Sequence, residues 1–289
     1  MLKHAAKRIK ILIYKMNNKR IIIFTDLDGT LLDHCTYSFS EAKEALEYIR
    51  EREVPIIICS SKTRDEIEGY RKKLLNNEPF ISENGGAIFI PEFYKGLKYE
   101  YDKVGNGYLV IEISSEYKIL EDVLKKIKDN TGIDIKSIAE CTVDEVMQIT
   151  GLSRDEAALS QRREYTLPFI INGGESEASS IRNEILSVGY NYTEGGRFMH
   201  LMGANDKGKA VKKLVDIFKE NQPDADIISV GIGDSLNDLS MLEVVDRPLL
   251  VKKISGDYEE RIKVDRLIHA DGVGPIGWGK AVMRLFNNN

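Results

Sequence analysis

Two acids one residue apart, Asp26 and Asp28, follow the apolar run Ile21-Ile22-Ile23-Phe24 and precede the turn-forming pair Gly29-Thr30. A run of that kind reads as a strand buried on both faces. The C-terminal ends of such strands are where open parallel sheets bind ligands. Two carboxylates so close repel each other unless a cation or a shared proton separates them. By itself the pair has a competing reading as a solvated acidic turn. Two further apolar strands end comparably, however: residues 55–59 run into Ser60-Ser61-Lys62-Thr63, and residues 226–231 into Gly233-Asp234-Ser235-Leu236-Asn237-Asp238. Parallel strands align their ends, so Asp26, Asp28, Ser60, Asp234 and Asp238 should converge. A cluster of hard carboxylates without His or Cys selects Mg²⁺ over zinc. Asp26, Asp28, Asp234 and Asp238 are the metal candidates, and the chemistry that suits them is phosphoryl transfer.

The elements that position these groups follow from periodicity. Ser38 and Glu41 have the spacing of a capping box, and Ala42, Ala45, Leu46 and Ile49 then mark one helical face. With the strand at 55–59 this makes a βαβ unit with a right-handed crossover. A helix over 64–75, a strand over 80–82, the turn Glu83-Asn84-Gly85-Gly86 and a strand over 87–90 come next. From about Gly96 the pattern changes to strand (108–114), helix (117–128), two short helices opened by capping boxes at Thr142–Glu145 and Ser153–Glu156, strand (166–172), helix (179–188) and strands (190–193, 197–202). βα alternation then resumes with a helix from Asp206, the strand over 226–231, a strand over 249–251, a glycine-rich loop over 272–279 and a closing helix over 280–286. The fold class is therefore α/β: a Rossmann-like doubly wound parallel-sheet core, residues 19–95 and 203–289, with an inserted α+β cap domain over 96–202. Residues 1–18 read as an N-terminal extension upstream of the core.

Bulk properties exclude several classes. The formal net charge of −5 provides no global basic field for nucleic acid. The basic-apolar start lacks the long apolar run and cleavage site of a signal peptide, and it is too short to span a membrane. Cys35, Cys59 and Cys141 are widely spaced and form no CxxC, which fits reduced thiols in the cytoplasm. His34, His200 and His269 form no zinc pattern. The segment from Gly203 to Ala210 has P-loop spacing, but Ala210 stands where a Mg²⁺-binding hydroxyl is required.

The string Thr25-Asp26-Leu27-Asp28-Gly29-Thr30 resembles the nucleophile motif of the haloacid dehalogenase superfamily of phosphatases. That resemblance implies Asp26 as nucleophile, Asp28 as acid/base with its backbone carbonyl on the metal, Asp234 as a metal acid with Asp238 supporting it, Ser60 as the phosphate-binding hydroxyl and Lys207 as the phosphate-neutralising lysine. Longer segments are similar to the mannosyl-3-phosphoglycerate phosphatase family. They include Ser82-Glu83-Asn84-Gly85-Gly86, Gly151-Leu152-Ser153-Arg154, Arg162-Arg163-Glu164-Tyr165, Gly195-Gly196-Arg197-Phe198 and Gly274-Pro275-Ile276-Gly277-Trp278-Gly279. This family implies a Mg²⁺-dependent cytoplasmic enzyme, monomeric or homodimeric, acting on a small phosphorylated sugar-glycerate. The candidate substrate-binding residues are Ser61, Lys62, Asn84, Gly85, Arg162, Arg163 and Arg197. Arginine pairs with carboxylates by bidentate hydrogen bonds, so the cap arginines point to a carboxylate beside the ester phosphate. Glucosyl-3-phosphoglycerate, another sugar phosphate and a non-catalytic sugar-phosphate-binding role are the competing readings.

Overall fold

The computed structural model describes residues 18–195 and 198–287, so the expected extension lies outside the described residues except for Asn18. Four successive apolar residues can be buried in one strand only if both faces of its sheet are covered. β1 (Lys19–Thr25) meets that condition: Ile21 and Ile23 enter one apolar layer, Ile22 and Phe24 the other. In chain order β2 (Ile56–Cys59), β3 (Phe80–Ser82), β4 (Ala87–Pro91), β5 (Lys103–Gly105) and β6 (Tyr108–Glu112) follow. The inserted unit holds β7 (Ile135–Ser137), β8 (Thr166–Ile171), β9 (Asn191–Gly195) and β10 (Phe198–Met202), and the chain returns through β11 (Asp226–Gly233), β12 (Arg247–Lys252) and β13 (Ile268–Val273). Among the described residues these build a nine-stranded sheet ordered β13-β12-β11-β1-β2-β3-β4-β6-β5 and a four-stranded sheet ordered β7-β8-β10-β9.

The large sheet is parallel from β13 to β3 and antiparallel beyond. One face is covered by α1 (Lys43–Arg50) and α2 (Arg64–Leu74) together with a closing helix over residues 274–287; their Leu46, Ile49, Ile67, Trp278 and Val282 pack on Ile21 and Ile23. In the inserted unit α3 (Tyr117–Thr131), α4 (Val143–Thr150), α5 (Arg154–Ser160) and α6 (Glu175–Ser187) accompany an antiparallel sheet, with Leu120, Leu124, Ile181 and Ile185 against Leu167 and Phe169. The other face of the large sheet is covered by α7 (Lys207–Asn221) and α8 (Leu239–Val244), whose Val211, Leu214 and Met241 meet Ile22 and Phe24; the closing helix is α9 (Gly274–Asn287). Strand order reverses at β1, which lies between β2 and β11. The ends of those three strands therefore frame the crevice of a doubly wound sheet. Among the described residues no helix is long and apolar enough to cross a membrane.

The structure departs from the sequence reading in identifiable places. Strands 108–114 of the expected cap belong to the large sheet: β6 pairs with β4 and β5, so the boundary drawn at 96 does not coincide with sheet membership. The cause is aromatic packing, because Tyr108 sits edge-on to Phe80 and Phe89 at 5.4 and 5.9 Å. Strand periodicity is the same whichever sheet a strand joins. Ser38 does not cap a helix; its hydroxyl accepts from Ser40 N, and a short 3₁₀ turn with Phe39 at its N-cap leads into α1. The glycine-rich stretch at 272–279 is no loop but the end of β13 and the first turns of α9. Glycine is needed there for close packing: a Cβ on Gly277 would lie 2.3 Å from the Gly272 carbonyl oxygen. Strands β5, β7 and β13 are too short or too polar to announce themselves, and α6 begins four residues earlier than periodicity indicates.

Trp278 ties the closing helix to β1, with its indole N–H donating to Thr25 Oγ1 at 3.0 Å. Trp278→Phe should therefore lower unfolding free energy by about 1–3 kcal/mol, through the lost hydrogen bond and the space left in the core. Urea unfolding reads this directly, and an unchanged midpoint and slope would contradict the anchoring role.

Candidate active site

Two strand ends and one helix start bring the acids and Lys207 together. Asp26 leaves β1 with its N–H on Ile232 O at 3.0 Å, and the Thr25 hydroxyl donates to the Asp26 carbonyl at 2.8 Å. Gly29 turns the chain with φ +75°, and a side chain there would crowd Asp234, since a Cβ would sit 2.9 Å from Asp234 Oδ2. Thr30 then donates its hydroxyl to Asp234 Oδ1 at 3.1 Å. After β11, Asp238 folds back so that Oδ2 accepts from the backbone N–H groups of Asp234 (3.0 Å) and Ser235 (3.2 Å). Asp206 caps α7 by accepting from Lys209 N at 2.8 Å, which sets Lys207 in the first turn.

Lys207 is the centre of the cluster. Its fully buried ammonium lies 2.7 Å from Asp26 Oδ1 and 2.7 Å from Asp238 Oδ1. Asp26, Asp234 and Asp238 each present a carboxylate oxygen within 4.8 Å of the others. Burial pushes the Asp26 carboxyl well above its ordinary range; Lys207 opposes this, and Asp238, Asp234 and Asp28 add to it. Burial, then Asp238, likewise raises Asp234 to about 6, although the Thr30 hydroxyl pulls the other way. For Lys207, burial favours the neutral amine, but Asp238 and Asp26 outweigh it and hold the lysine charged. Three carboxylates thus face one ammonium. An all-oxygen donor set with surplus negative charge is what a hard divalent cation requires, and these residues fit one.

The remaining candidates fall into separate groups. Asp28 Oδ2 pairs with Lys62 Nζ at 2.9 Å. Ser60 is fully buried at the end of β2; its hydroxyl accepts from Lys62 N at 3.3 Å and its carbonyl from Asn84 N at 2.9 Å. Asn84 and Gly85 sit in left-handed conformations, and Asn84 Oδ1 accepts from Asn237 Nδ2 at 3.4 Å. Gly85 packs on the backbone that launches α7: a Cβ there would lie 2.1 Å from Asp206 O. Arg162 and Arg163 are engaged away from the clustered acids. Exposed Arg162 pairs with Asp65 at 2.9 Å, and Arg163 donates to the carbonyls of Ser61 (2.7 Å) and Ser160 (3.0 Å). Arg197 lies outside the described residues. In the P-loop-like segment Lys207 is held by the acids, and Lys209 turns back to the Ala204 carbonyl. Cys59 is buried in β2 with its thiol pushed upward by burial, consistent with a core residue.

One functional residue escaped the sequence reading. Glu83 is fully buried and accepts from the backbone N–H groups of Glu164 (2.8 Å), Tyr165 (3.2 Å) and Thr166 (2.8 Å), and from the Thr166 hydroxyl (2.7 Å). It fastens the loop between β3 and β4 to the start of β8. Its signal was an acid in a Ser-Glu-Asn-Gly-Gly turn, and only the partners made that informative. A cavity of about 550 Å³ lies at the opposite end of the parallel strands, beside Arg20, Arg50 and Phe218, and none of the clustered acids lines it.

Comparison with known proteins bears on this geometry. The family model for haloacid dehalogenase-like hydrolases matches residues 23–255. A Methanococcoides burtonii protein named glucosyl-3-phosphoglycerate/mannosyl-3-phosphoglycerate phosphatase is 44% identical over 269 residues, covering 93% of this chain and 98% of its own. A Pyrococcus horikoshii mannosyl-3-phosphoglycerate phosphatase is 37% identical over 230 residues, or 80% of this chain and 90% of its own. Among solved structures, a Thermoplasma acidophilum protein aligns with TM-score 0.65 at 19% identity, covering 92% of this chain and 98% of that one. A haloacid dehalogenase-like hydrolase from Bacteroides thetaiotaomicron aligns with TM-score 0.63 at 20% identity, covering 93% and 100%. At those identities the structures share the fold.

The electrostatics give a pH test. In the metal-free folded chain Asp234 titrates at about 6, above the ordinary 3.8. Between these values the folded state keeps a proton that the unfolded state has released, so unfolding free energy falls as pH rises from about 4 to about 6. Asp234→Asn removes this contribution. In EDTA, the stability of the unmodified protein relative to Asp234→Asn should decrease with pH across that window; a flat or rising difference would contradict the crowding.

Proposed function

Because the chain belongs to the haloacid dehalogenase-like hydrolases, and within them with the mannosyl-3-phosphoglycerate phosphatases, it is a phosphoric monoester hydrolase, and we propose that it converts mannosyl-3-phosphoglycerate to mannosylglycerate and phosphate. The observation that carries the substrate reading is the 44% identity sustained over 93% of the chain, inserted unit included. The acids alone support phosphoryl transfer without choosing a substrate. The glucosyl ester is a second reading, favoured by the double name of the Methanococcoides burtonii relative. The free cysteines support a reducing, cytoplasmic setting.

In the proposed mechanism Asp26 attacks phosphorus in line, the bond from phosphorus to the ester oxygen breaks, and an aspartyl phosphate forms. Asp28 gives its proton to the departing alkoxide. It then takes a proton from the water that attacks the aspartyl phosphate, which releases phosphate and restores Asp26. Lys207 favours the ionised form of Asp26 against burial and faces the phosphoryl oxygens as charge builds on them. Asp238 holds Lys207 and braces the Asp234 backbone. Haloacid dehalogenase-like hydrolases generally use a divalent metal. Here Asp26, Asp234 and the Asp28 carbonyl would hold Mg²⁺, which when bound supplies further positive charge for the phosphoryl group. Ser60, Asn84 and Gly85 border the phosphate position. The inserted unit acts as the lid that excludes water and selects the sugar.

Purified protein with Mg²⁺ should hydrolyse mannosyl-3-phosphoglycerate with kcat/KM at least about a hundredfold above hexose 6-phosphates, a ratio of two tenfold steps in transition-state binding. Equal turnover of the panel would remove the substrate assignment while leaving the hydrolase. Asp26→Asn should abolish hydrolysis of every ester in the panel, and retained activity would remove the nucleophile.

A further inference from the structure

Of the cap arginines, Arg154, Arg162 and Arg163 pair with Asp144, Asp65 and backbone carbonyls, whereas a different cation stands beside the acid that faces the leaving group. Lys62 lies at the end of β2 with its side chain 9% exposed, and its ammonium touches Asp28 Oδ2 at 2.9 Å. Glu66, its other acidic neighbour, is 3.8 Å away, beyond hydrogen-bond distance. The rings of Tyr37 and Tyr70 face the ammonium at 5.2 and 5.6 Å and offer no carboxylate. An ammonium has three donors, and only one of these contacts is a hydrogen bond. Its partner is also incompletely satisfied: Asp28 Oδ1 is buried and has no hydrogen-bond partner. Both members of the pair therefore keep bonding capacity that the protein itself does not use, and unused buried capacity is costly unless a ligand takes it up.

The two cations divide the work by position. Lys207 is bound to the nucleophile and Lys62 to the acid/base. Whatever is attached to the leaving oxygen must pass Asp28 and so arrives at Lys62. In a 3-phosphoglycerate ester the carboxylate is two carbons along from that oxygen, within reach of a group already hydrogen-bonded to Asp28. We infer that Lys62 binds the substrate carboxylate, which replaces Asp28 as its partner and leaves the Asp28 side chain free to turn to the ester oxygen. This makes Lys62 the residue that distinguishes carboxylate-bearing phosphate esters from neutral ones. The inference rests on the phosphoglycerate reading above.

The test uses full-length protein with Mg²⁺ and two substrates, mannosyl-3-phosphoglycerate and the same compound with its carboxylate blocked as the methyl ester. The unmodified enzyme should prefer the free acid. In Lys62→Met that preference, as a ratio of kcat/KM values, should fall by about ten- to a hundredfold, chiefly through a higher KM for the free acid. Lys62→Gln, which keeps a polar side chain, supplies the same measurement if the methionine variant does not fold. An unchanged preference in a folded variant, with both substrates slowed equally, would overturn the inference and leave Lys62 acting through Asp28 alone. If the unmodified enzyme hydrolyses acid and methyl ester equally, no group reads the carboxylate and the inference is likewise overturned; if it turns over neither faster than hexose 6-phosphates, the phosphoglycerate reading itself fails, an outcome separate from the other two.

Discussion

The ion pairs of Lys207 with Asp26 and Asp238 are the constraint on which the rest of the structure depends. Burial and mutual repulsion drive carboxylates this close to bind protons, and Lys207 is the charge that opposes this at Asp26. Removing one partner from such a buried cluster typically costs about 3–5 kcal/mol, because the charges left behind have no water to turn to. The pairs are not a gain in stability for their own sake. They oppose the proton uptake that burial favours, and the negative charge that Lys207 alone does not balance suits the site to a divalent cation and a phosphate ester.

Much of the fold can be understood as what it takes to hold that lysine and those acids still. Lys207 is in the first turn of α7, whose start is set by the Asp206 cap and by Gly85, where no side chain would fit. Asp26 is at the end of a strand covered on both faces and braced from behind through Thr25 and Trp278. Asp238 is locked by the backbone it bends back to. The same loop that carries Asn84 is fastened to the inserted unit by Glu83, so the inserted unit and the acid cluster share one anchor. A loop carrying left-handed Glu83 and Asn84 costs backbone energy, and the four donors on Glu83 offset it.

The parts legible in sequence were those encoded locally. Ile21-Ile22-Ile23-Phe24 identified a doubly buried strand, and three strand ends identified the acid cluster, because parallel topology makes strand ends converge without any knowledge of contacts. The capping boxes at Thr142 and Ser153 formed as their spacing indicated. What sequence did not disclose depends on distant partners. Glu83 is informative only beside Thr166, 83 positions away, and Trp278 only beside Thr25, 253 positions away. The allegiance of β6 was decided by Phe80 and Phe89, not by its own alternation. The glycines at 272–279 have loop-like composition, yet they serve the close approach of a helix to backbone. Arginine content suggested carboxylate recognition by the cap, whereas Arg162 and Arg163 join the cap to α2 and to Ser61.

In the proposed reaction Asp26, paired with Lys207, is the group that becomes phosphorylated. The most direct measurement is to quench turnover with acid, reduce the trapped acyl phosphate with borohydride and locate the modified residue by peptide mass spectrometry. The account predicts reduction of the Asp26 carboxyl to an alcohol, with Asp28, Asp234 and Asp238 intact. Modification at any of those three with Asp26 untouched would contradict it.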